Sequence, residues 1–190
     1  MSAQTATRRR AKAAAVVTLI ALALSLSACG GSSSVSAGAY AHSVCSATQS
    51  FKQGGQAAVA QYQSSVARAT TVASVKQQLQ AYLGSMTSYA DKFISQIKAA
   101  GTPNVTNGQQ FASTLLSAFQ EVRGAFSQAK SQVDAVPTTS VTAFRSAATA
   151  VKSTLSTANA RLSNLGLTKN PQLHAASLKD TTCQALKSGA

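Results

Sequence analysis

Apolar residues recur at steps of three and four along most of the chain, which is the spacing of one face of an α-helix. Strand-like alternation of apolar and polar residues is absent from the sequence. Four long helices are predicted, over about residues 40–69, 72–100, 108–135 and 141–165. The pattern therefore predicts an all-α fold.

The apolar line is clearest in the second and third of these stretches, and its members are the predicted core. In the second stretch they are Val72, Val75, Leu79, Leu83, Met86, Ala90, Phe93 and Ile97. In the third they are Phe111, Leu115, Phe119, Val122, Phe126, Ala129 and Val133. A spacing close to a heptad suits the shallow crossing of helices in an up-down four-helix bundle.

Prolines mark the ends of the predicted helices, since Pro103, Pro137 and Pro171 all fall between periodic stretches. Ser140 or Thr139 is the predicted N-cap of the fourth helix. The pair Gly54-Gly55 interrupts the first stretch and predicts a break or a kink there.

A short C-terminal helix is predicted after the four long ones. Asn170 precedes Pro171, the order expected of an N-cap and a first-turn residue. This helix carries Leu173 and Leu178 towards the core, and a further turn brings Cys183 to the bundle.

The N-terminus has a different composition. Arg8, Arg9, Arg10 and Lys12 precede an apolar run over residues 13–24, and residues 30–38 are mostly glycine and serine. A basic segment, a short apolar segment and small residues before a cut describe a secretory signal peptide. The alternative is an uncleaved membrane span, although the largely apolar run over 13–28 has 16 residues, six of them alanine, and is shorter than the roughly 20 apolar residues that a span needs.

The residues Leu26-Ser27-Ala28-Cys29 resemble the lipobox of bacterial lipoproteins. That resemblance implies a diacylglyceryl group on Cys29, cleavage before it, and fatty acyl chains such as palmitate that anchor the mature protein on the extracytoplasmic face of the cell membrane. Two acyl chains are enough for stable anchoring. A plain signal peptide with an incidental Cys29 is the alternative, and the export route, general secretory or twin-arginine, stays open.

Three segments follow from this interpretation: a lipoprotein signal peptide over residues 1–28, a lipidated cysteine with a flexible linker over 29–39, and a helical bundle domain over 40–190. The lipobox, a cysteine after the linker, the Gly101-Thr102-Pro103 turn and a cysteine near the C-terminus resemble the small, alanine-rich helical lipoproteins of actinobacteria. That resemblance implies no activity.

If Cys29 carries lipid, Cys45 and Cys183 remain as an even pair in an oxidising compartment. We expect them to form a disulfide that joins the two ends of the folded part. Two free buried thiols are the alternative.

The formal net charge is +13, and the four basic residues before Cys29 leave +9 of it on the mature chain. This charge favours anionic wall polymer, lipid head groups or an envelope protein as partners, and an exported, tethered protein is a poor candidate for nucleic acid. The basic residues are spread evenly without a cluster, so an ordinary solvated surface is the preferred interpretation.

Catalytic chemistry has little support in the sequence. The mature chain has four carboxylates and two histidines, and the sequence contains no metalloprotease, phosphate-loop or Cys-x-x-Cys motif. One weak metal site remains: His42, His174 and Asp180 lie near the two predicted disulfide cysteines and approach one another if that bond forms. Two surface histidines are the preferred alternative.

Tyr82 and Tyr89 lie seven residues apart beside the apolar line of the second helix. In one interpretation they flank a ligand groove between helices. In the preferred interpretation they lie at the edge of the core. The sequence thus predicts a binding or structural module with an unknown partner and no cofactor. A carrier of a small apolar ligand between helices is the alternative, and an enzyme is the least favoured class.

Overall fold

The computed structural model describes residues 34–163 and 166–188, and these residues are mostly helical. The long helices are α1 (Ala37–Val66), α2 (Val72–Ala100), α3 (Gly108–Asp134) and α4 (Val141–Ser163). A 3-10 turn over Leu167–Lys169 is followed by the short helices α5 (Pro171–Ser177) and α6 (Thr181–Lys187). Two-residue strands, β1 (Ser34–Val35) and β2 (Thr102–Pro103), complete the described elements. The all-α prediction is confirmed.

Each long helix packs on the next one in the chain: α1 on α2, α2 on α3 and α3 on α4, while α4 touches α2 only lightly. The helices α5 and α6 pack on α1. The C-terminal segment is therefore held against the first helix, as the predicted disulfide requires.

The segment predicted as a flexible linker includes residues that belong to the folded domain. Val35 and Pro103 are partners in a parallel pairing of β1 with β2, and the Asn104 amide donates to the Val35 carbonyl at 2.7 Å. Helix α1 begins at Ala37 because the Ser36 side chain accepts a hydrogen bond from the third amide of the helix. Residues 1–33, which include the predicted signal peptide and Cys29, lie outside the described residues.

Of the break or kink predicted at Gly54-Gly55, the break is wrong, since α1 runs through both glycines. A Cβ atom at Gly54 would lie 2.6 Å from the nearest ring atom of Tyr89. Glycine at this position therefore allows the tyrosine ring of α2 to lie directly on the α1 backbone, and that contact offsets the low helix propensity of the pair.

The turn between α2 and α3 depends on two glycines. Gly101 has a φ of 76°, a conformation that side chains disfavour. Gly108, at the start of α3, lies so close to the Pro103 carbonyl that a Cβ atom would collide with it. The chain turns tightly here, and β2 is brought beside β1.

The core is formed by two clusters of buried side chains. One lies at the end of the domain that holds the disulfide: Tyr40, Val44, Ala47, Phe93, Ile94, Ile97, Ala112, Leu115, Phe119 and Leu173. The other lies further along the helices: Ala58, Leu79, Leu83, Met86, Val122, Phe126, Ala129, Val133 and Val151. Phe51 packs against both clusters and meets the stacked rings of Phe93 and Phe119 edge-on.

The single predicted C-terminal helix is two helices in the structure. Asp180 separates them, because its side chain accepts a hydrogen bond from the Cys183 amide and caps α6. Leu178, predicted to face the core, is 51% exposed in the turn between α5 and α6. Ser140 and Asn170 are the N-caps of α4 and α5, as predicted.

Candidate functional site

A groove of about 620 Å³ opens between the start of α3 and the segment that leads into α5. We call it the Phe111 groove. It is lined by Thr106, Asn107, Gln110, Phe111, Thr114, Leu115, Gly166, Lys169, Asn170, Pro171 and Gln172. Its volume lies in the usual range for sites that bind one small molecule, about 300–1,000 Å³.

Two side-chain amides fix the walls of the groove. The Asn170 side chain donates to the Thr106 carbonyl at 2.8 Å, and the Thr106 amide donates to the Gln172 side chain, also at 2.8 Å. Asn170 is 7% exposed and also accepts from two amides at the start of α5. The loop before α3 and the C-terminal segment are therefore joined by bonds that exist without any ligand.

The floor of the groove is apolar and its rim is polar. Leu115 is buried, and Phe111 is half-buried and makes an edge-on contact with the ring of Tyr40 at 6.2 Å between centroids. Among the described residues that line it, Lys169 is the one with a charged side chain. An apolar floor with polar groups at the rim is typical of sites that bind a small molecule.

Tyr40 lies behind the Phe111 ring and is completely buried. Within the parts of the chain that the structure describes, its hydroxyl forms no hydrogen bond. Burial raises the pKa of the Tyr40 hydroxyl to about 12. The hydroxyl is therefore neutral at physiological pH and costs stability without a compensating bond.

The groove lies beside the point where the chain enters the domain. A shallow depression next to it is lined partly by Ser34, the first described residue, and shares Asn107 and Gln110 with the Phe111 groove. The first described residue of the chain therefore lies near the groove.

The predicted disulfide is present at the same end of the domain. Cys45 in α1 and Cys183 in α6 are joined, with 5.1 Å between their Cα atoms, and both are buried. The bond closes a loop of 138 residues and links α1 to the C-terminal segment.

His42 and Asp180 lie beside this disulfide and form a pair. Their Nδ1 and Oδ2 atoms are 2.9 Å apart, with side chains 58% and 17% exposed. The Cys183 amide, followed by the contact with His42, holds the pKa of the Asp180 carboxyl below its usual value, although partial burial acts in the opposite direction. The pair joins α1 to the cap of α6, next to the covalent link.

His174 does not join this pair. Residues 34–163 and 166–188 contain no group of three or more histidine, cysteine or acidic side chains that can hold a metal ion. His174 lies on α5, where its carbonyl accepts from the Ser177 hydroxyl. Of the three residues of the weak metal site, His42 and Asp180 are thus in contact and His174 is separate from them. The reason is that α5 ends before the turn that positions Asp180.

Two further carboxylates form ion pairs on exposed helix faces. Asp91 accepts from the Arg123 side chain at 2.9 Å between α2 and α3. Asp134 accepts from Lys130 one turn earlier on α3 at 2.9 Å. The Lys130 hydrogen bond lowers the pKa of Asp134 most. Both pairs are half-exposed, and exposed pairs of this kind contribute about 0–1 kcal/mol to stability.

Tyr82 and Tyr89 do not flank one common groove. Tyr89 lies on Gly54, and Tyr82 packs against Tyr62 with 5.5 Å between ring centroids. Burial, and then the nearby Tyr62, raise the pKa of the Tyr82 hydroxyl. Tyr82 borders a shallow depression between α1 and α2.

The Phe111 groove was not found by sequence reasoning. Asn170 and Pro171 were identified as a helix start, but their positions in the chain give no indication that they face Thr106. Phe111 and Leu115 carry the same apolar signal as the core residues that follow them. No sequence signal distinguishes a floor residue of a groove from a core residue.

Comparison of the chain with models of protein families, with curated proteins and with solved structures finds no match. None of the helices within residues 34–163 and 166–188 combines the length and the apolar character that a membrane span requires.

Proposed function

We propose that this protein is a lipid-anchored, extracytoplasmic binding module that holds a small amphiphilic molecule in the Phe111 groove, and that it is not an enzyme. In this proposal Cys29 carries the acyl chains, residues 1–28 are the signal peptide, and the long helices form an up-down bundle. The observation that carries the binding function is the groove itself, with its apolar floor and preformed walls.

Support for the anchor comes from the sequence before the domain. Leu26-Ser27-Ala28-Cys29 resembles a lipobox and follows a basic and then an apolar segment. Ser34 lies five positions after Cys29, and a fully extended chain over five positions spans at most about 18 Å. An acylated Cys29 would therefore keep the entry point of the domain, and the groove beside it, near the lipid head groups.

Support for a small-molecule ligand comes from the residues that line the depressions of the surface. The groove has a buried leucine and an aromatic ring at its floor, whereas a second depression, between α3 and α4, is lined mainly by serine, threonine, glutamine and glycine. An apolar pocket with few convergent polar groups is the usual form of a ligand site. This favours the carrier alternative over a partner recognised by charge, because the basic residues form no cluster in the sequence.

The anchor is tested by mass spectrometry of the membrane fraction from cells that express the full chain. We expect a mature protein that begins at a diacylglyceryl-modified Cys29, and we expect Cys29→Ala to prevent both the modification and the cleavage. An unmodified Cys29 in a soluble mature protein would refute the anchor.

The ligand is tested by native mass spectrometry of the purified protein. We expect a co-purified small molecule in the wild type and its loss in Thr114→Trp, because Thr114 is an exposed residue that lines the groove. Ser117→Trp is the matched control, since Ser117 is exposed on the same helix and does not line the groove. Equal occupancy in both variants would remove the groove as the binding site.

A further inference from the structure

We infer that the ligand of the Phe111 groove is a single-chain amphiphile with an anionic head group, drawn from the adjacent membrane leaflet, and that Lys169 binds its head group. This inference rests on the proposed function of the groove and names the ligand class. It is carried by the charge of the lining, the polar groups left over at the rim, and the position of the groove in the chain.

The charge of the lining selects an anion. Lys169 is exposed at the rim, and it forms no ion pair with any residue of 34–163 or 166–188. The lining contains no carboxylate. A lysine without a counter-ion at the edge of an apolar site favours a carboxylate or phosphate and disfavours a cationic head group.

The polar groups of the groove divide into two sets. Asn170 and Gln172 are occupied by their bonds to the Thr106 backbone. Gln110 and Thr114 line the groove without taking part in those bonds. Gln110 and Thr114 are therefore neutral groups in the same groove as Lys169 that can complete the hydrogen bonding of an anionic head group.

The apolar part of the groove suits one acyl chain. Phe111 and Leu115 supply the floor, and a volume of about 620 Å³ is that of a site for one small molecule. Burial of each methylene group contributes to binding in proportion to the area removed from water, so a chain along this floor is favoured over a short anion.

The place where the chain enters the domain indicates where the ligand comes from. Ser34 borders the depression that adjoins the groove, and the lipobox cysteine is five residues earlier. An amphiphile in the anchoring leaflet is therefore the apolar molecule available at highest local concentration.

The test uses the full lipid-anchored protein in phosphatidylcholine vesicles, with photoreactive palmitic acid as the probe and photoreactive hexadecanol as its uncharged counterpart. The labelled peptides are identified by mass spectrometry. We expect the acid to label residues of the groove more strongly than the alcohol does. Lys169→Gln should reduce labelling by the acid roughly tenfold, because one charge-assisted hydrogen bond is lost. The same substitution should leave labelling by the alcohol unchanged.

Three controls separate the steps of the inference. Lys179→Gln removes an exposed lysine outside the groove and should change neither signal. Thr114→Trp and Gln110→Trp fill the groove from successive turns of α3 and should abolish labelling by both probes. Circular dichroism establishes that each variant keeps its helices.

The outcomes are distinguishable. Equal labelling by acid and alcohol, or an acid signal that Lys169→Gln leaves unchanged, overturns the anionic head group while the groove stays a ligand site. Labelling that avoids the groove with both probes, or that both tryptophan variants leave intact, overturns this inference and the proposed function together.

Discussion

Removal of the Cys45–Cys183 disulfide should cost about a third or more of the stability that natural domains have. The bond closes a loop of 138 residues. The chain-entropy model gives about 5 kcal/mol at 25 °C for a loop of that length. Natural domains are stable by about 5–15 kcal/mol in total, so the cost is large.

The loss of stability should arise from a change in the unfolded state. The helices α5 and α6 pack on α1 through the buried side chains of Tyr40 and Leu173 as well as through the sulfur atoms. We therefore expect the double variant Cys45→Ala/Cys183→Ala to keep the native helix content. Alanine is preferred to serine because both positions are buried and a hydroxyl is costly to remove from water.

The assay is urea unfolding followed by circular dichroism, in a Cys29→Ser background that leaves no third thiol. We expect the free energy of unfolding to fall by about 5 kcal/mol and the melting temperature by roughly 10–20 °C. The urea dependence of the free energy should steepen, because the unfolded chain without the cross-link exposes more surface. The Cys29→Ser parent is the control.

Two results would refute this reasoning. A fall of less than about 1 kcal/mol with an unchanged urea dependence would mean that the bond does not restrict the unfolded chain. If the Cys29→Ser parent is stable by well over about 5 kcal/mol, a loss of native helix signal in the double variant before urea is added would mean that the bond is needed to form the fold and not only to stabilise it.

Three further predictions concern single residues. Because the pKa of Asp180 is lowered in the folded state, its contribution is present above about pH 4 and is lost as the pH falls through the folded pKa. Asp180→Asn, which keeps a capping residue, should thus be less stable than the wild type at pH 7 by urea unfolding and converge with it on acidification; a constant difference would contradict this. Gly108→Ala should lose about 1–3 kcal/mol by thermal unfolding because its Cβ meets the Pro103 carbonyl, whereas Gly124→Ala, whose Cβ meets nothing within 4 Å, should gain about 0.5–1 kcal/mol, and equal effects would refute the close approach. Tyr40→Phe removes a buried hydroxyl without a hydrogen bond and should raise the free energy of unfolding by about 1 kcal/mol; a loss of stability in the same urea assay would show that the hydroxyl has a partner.

Much of the helical core is predictable from spacing alone. Leu83, Phe93, Val122 and Val133 were assigned to apolar lines, and all four are buried. A helix turns every 3.6 residues, so residues three and four apart share a face wherever the helix lies in the fold. The cap at Asn170 is predictable for the same reason, since the bond it makes is to its own next residues.

The errors fall where distant residues meet. Val35 was assigned to a flexible linker, and it is held by the amide of Asn104. The pair Gly54-Gly55 predicts a break or a kink, but α1 does not break there, and the Tyr89 ring lies against Gly54. None of these contacts has a signature in the local sequence, because each depends on how two elements approach.

By itself the sequence determined the four long helices and their buried faces, and it favoured a bond between Cys45 and Cys183. These follow from local periodicity and from counting, which do not require knowledge of neighbours. Only the tertiary structure decided that the loop at Thr106 lies against Asn170, and thereby that a groove with Phe111 at its floor and Lys169 at its rim exists. A groove is the space between elements, and its shape is fixed by packing over long separations in the chain.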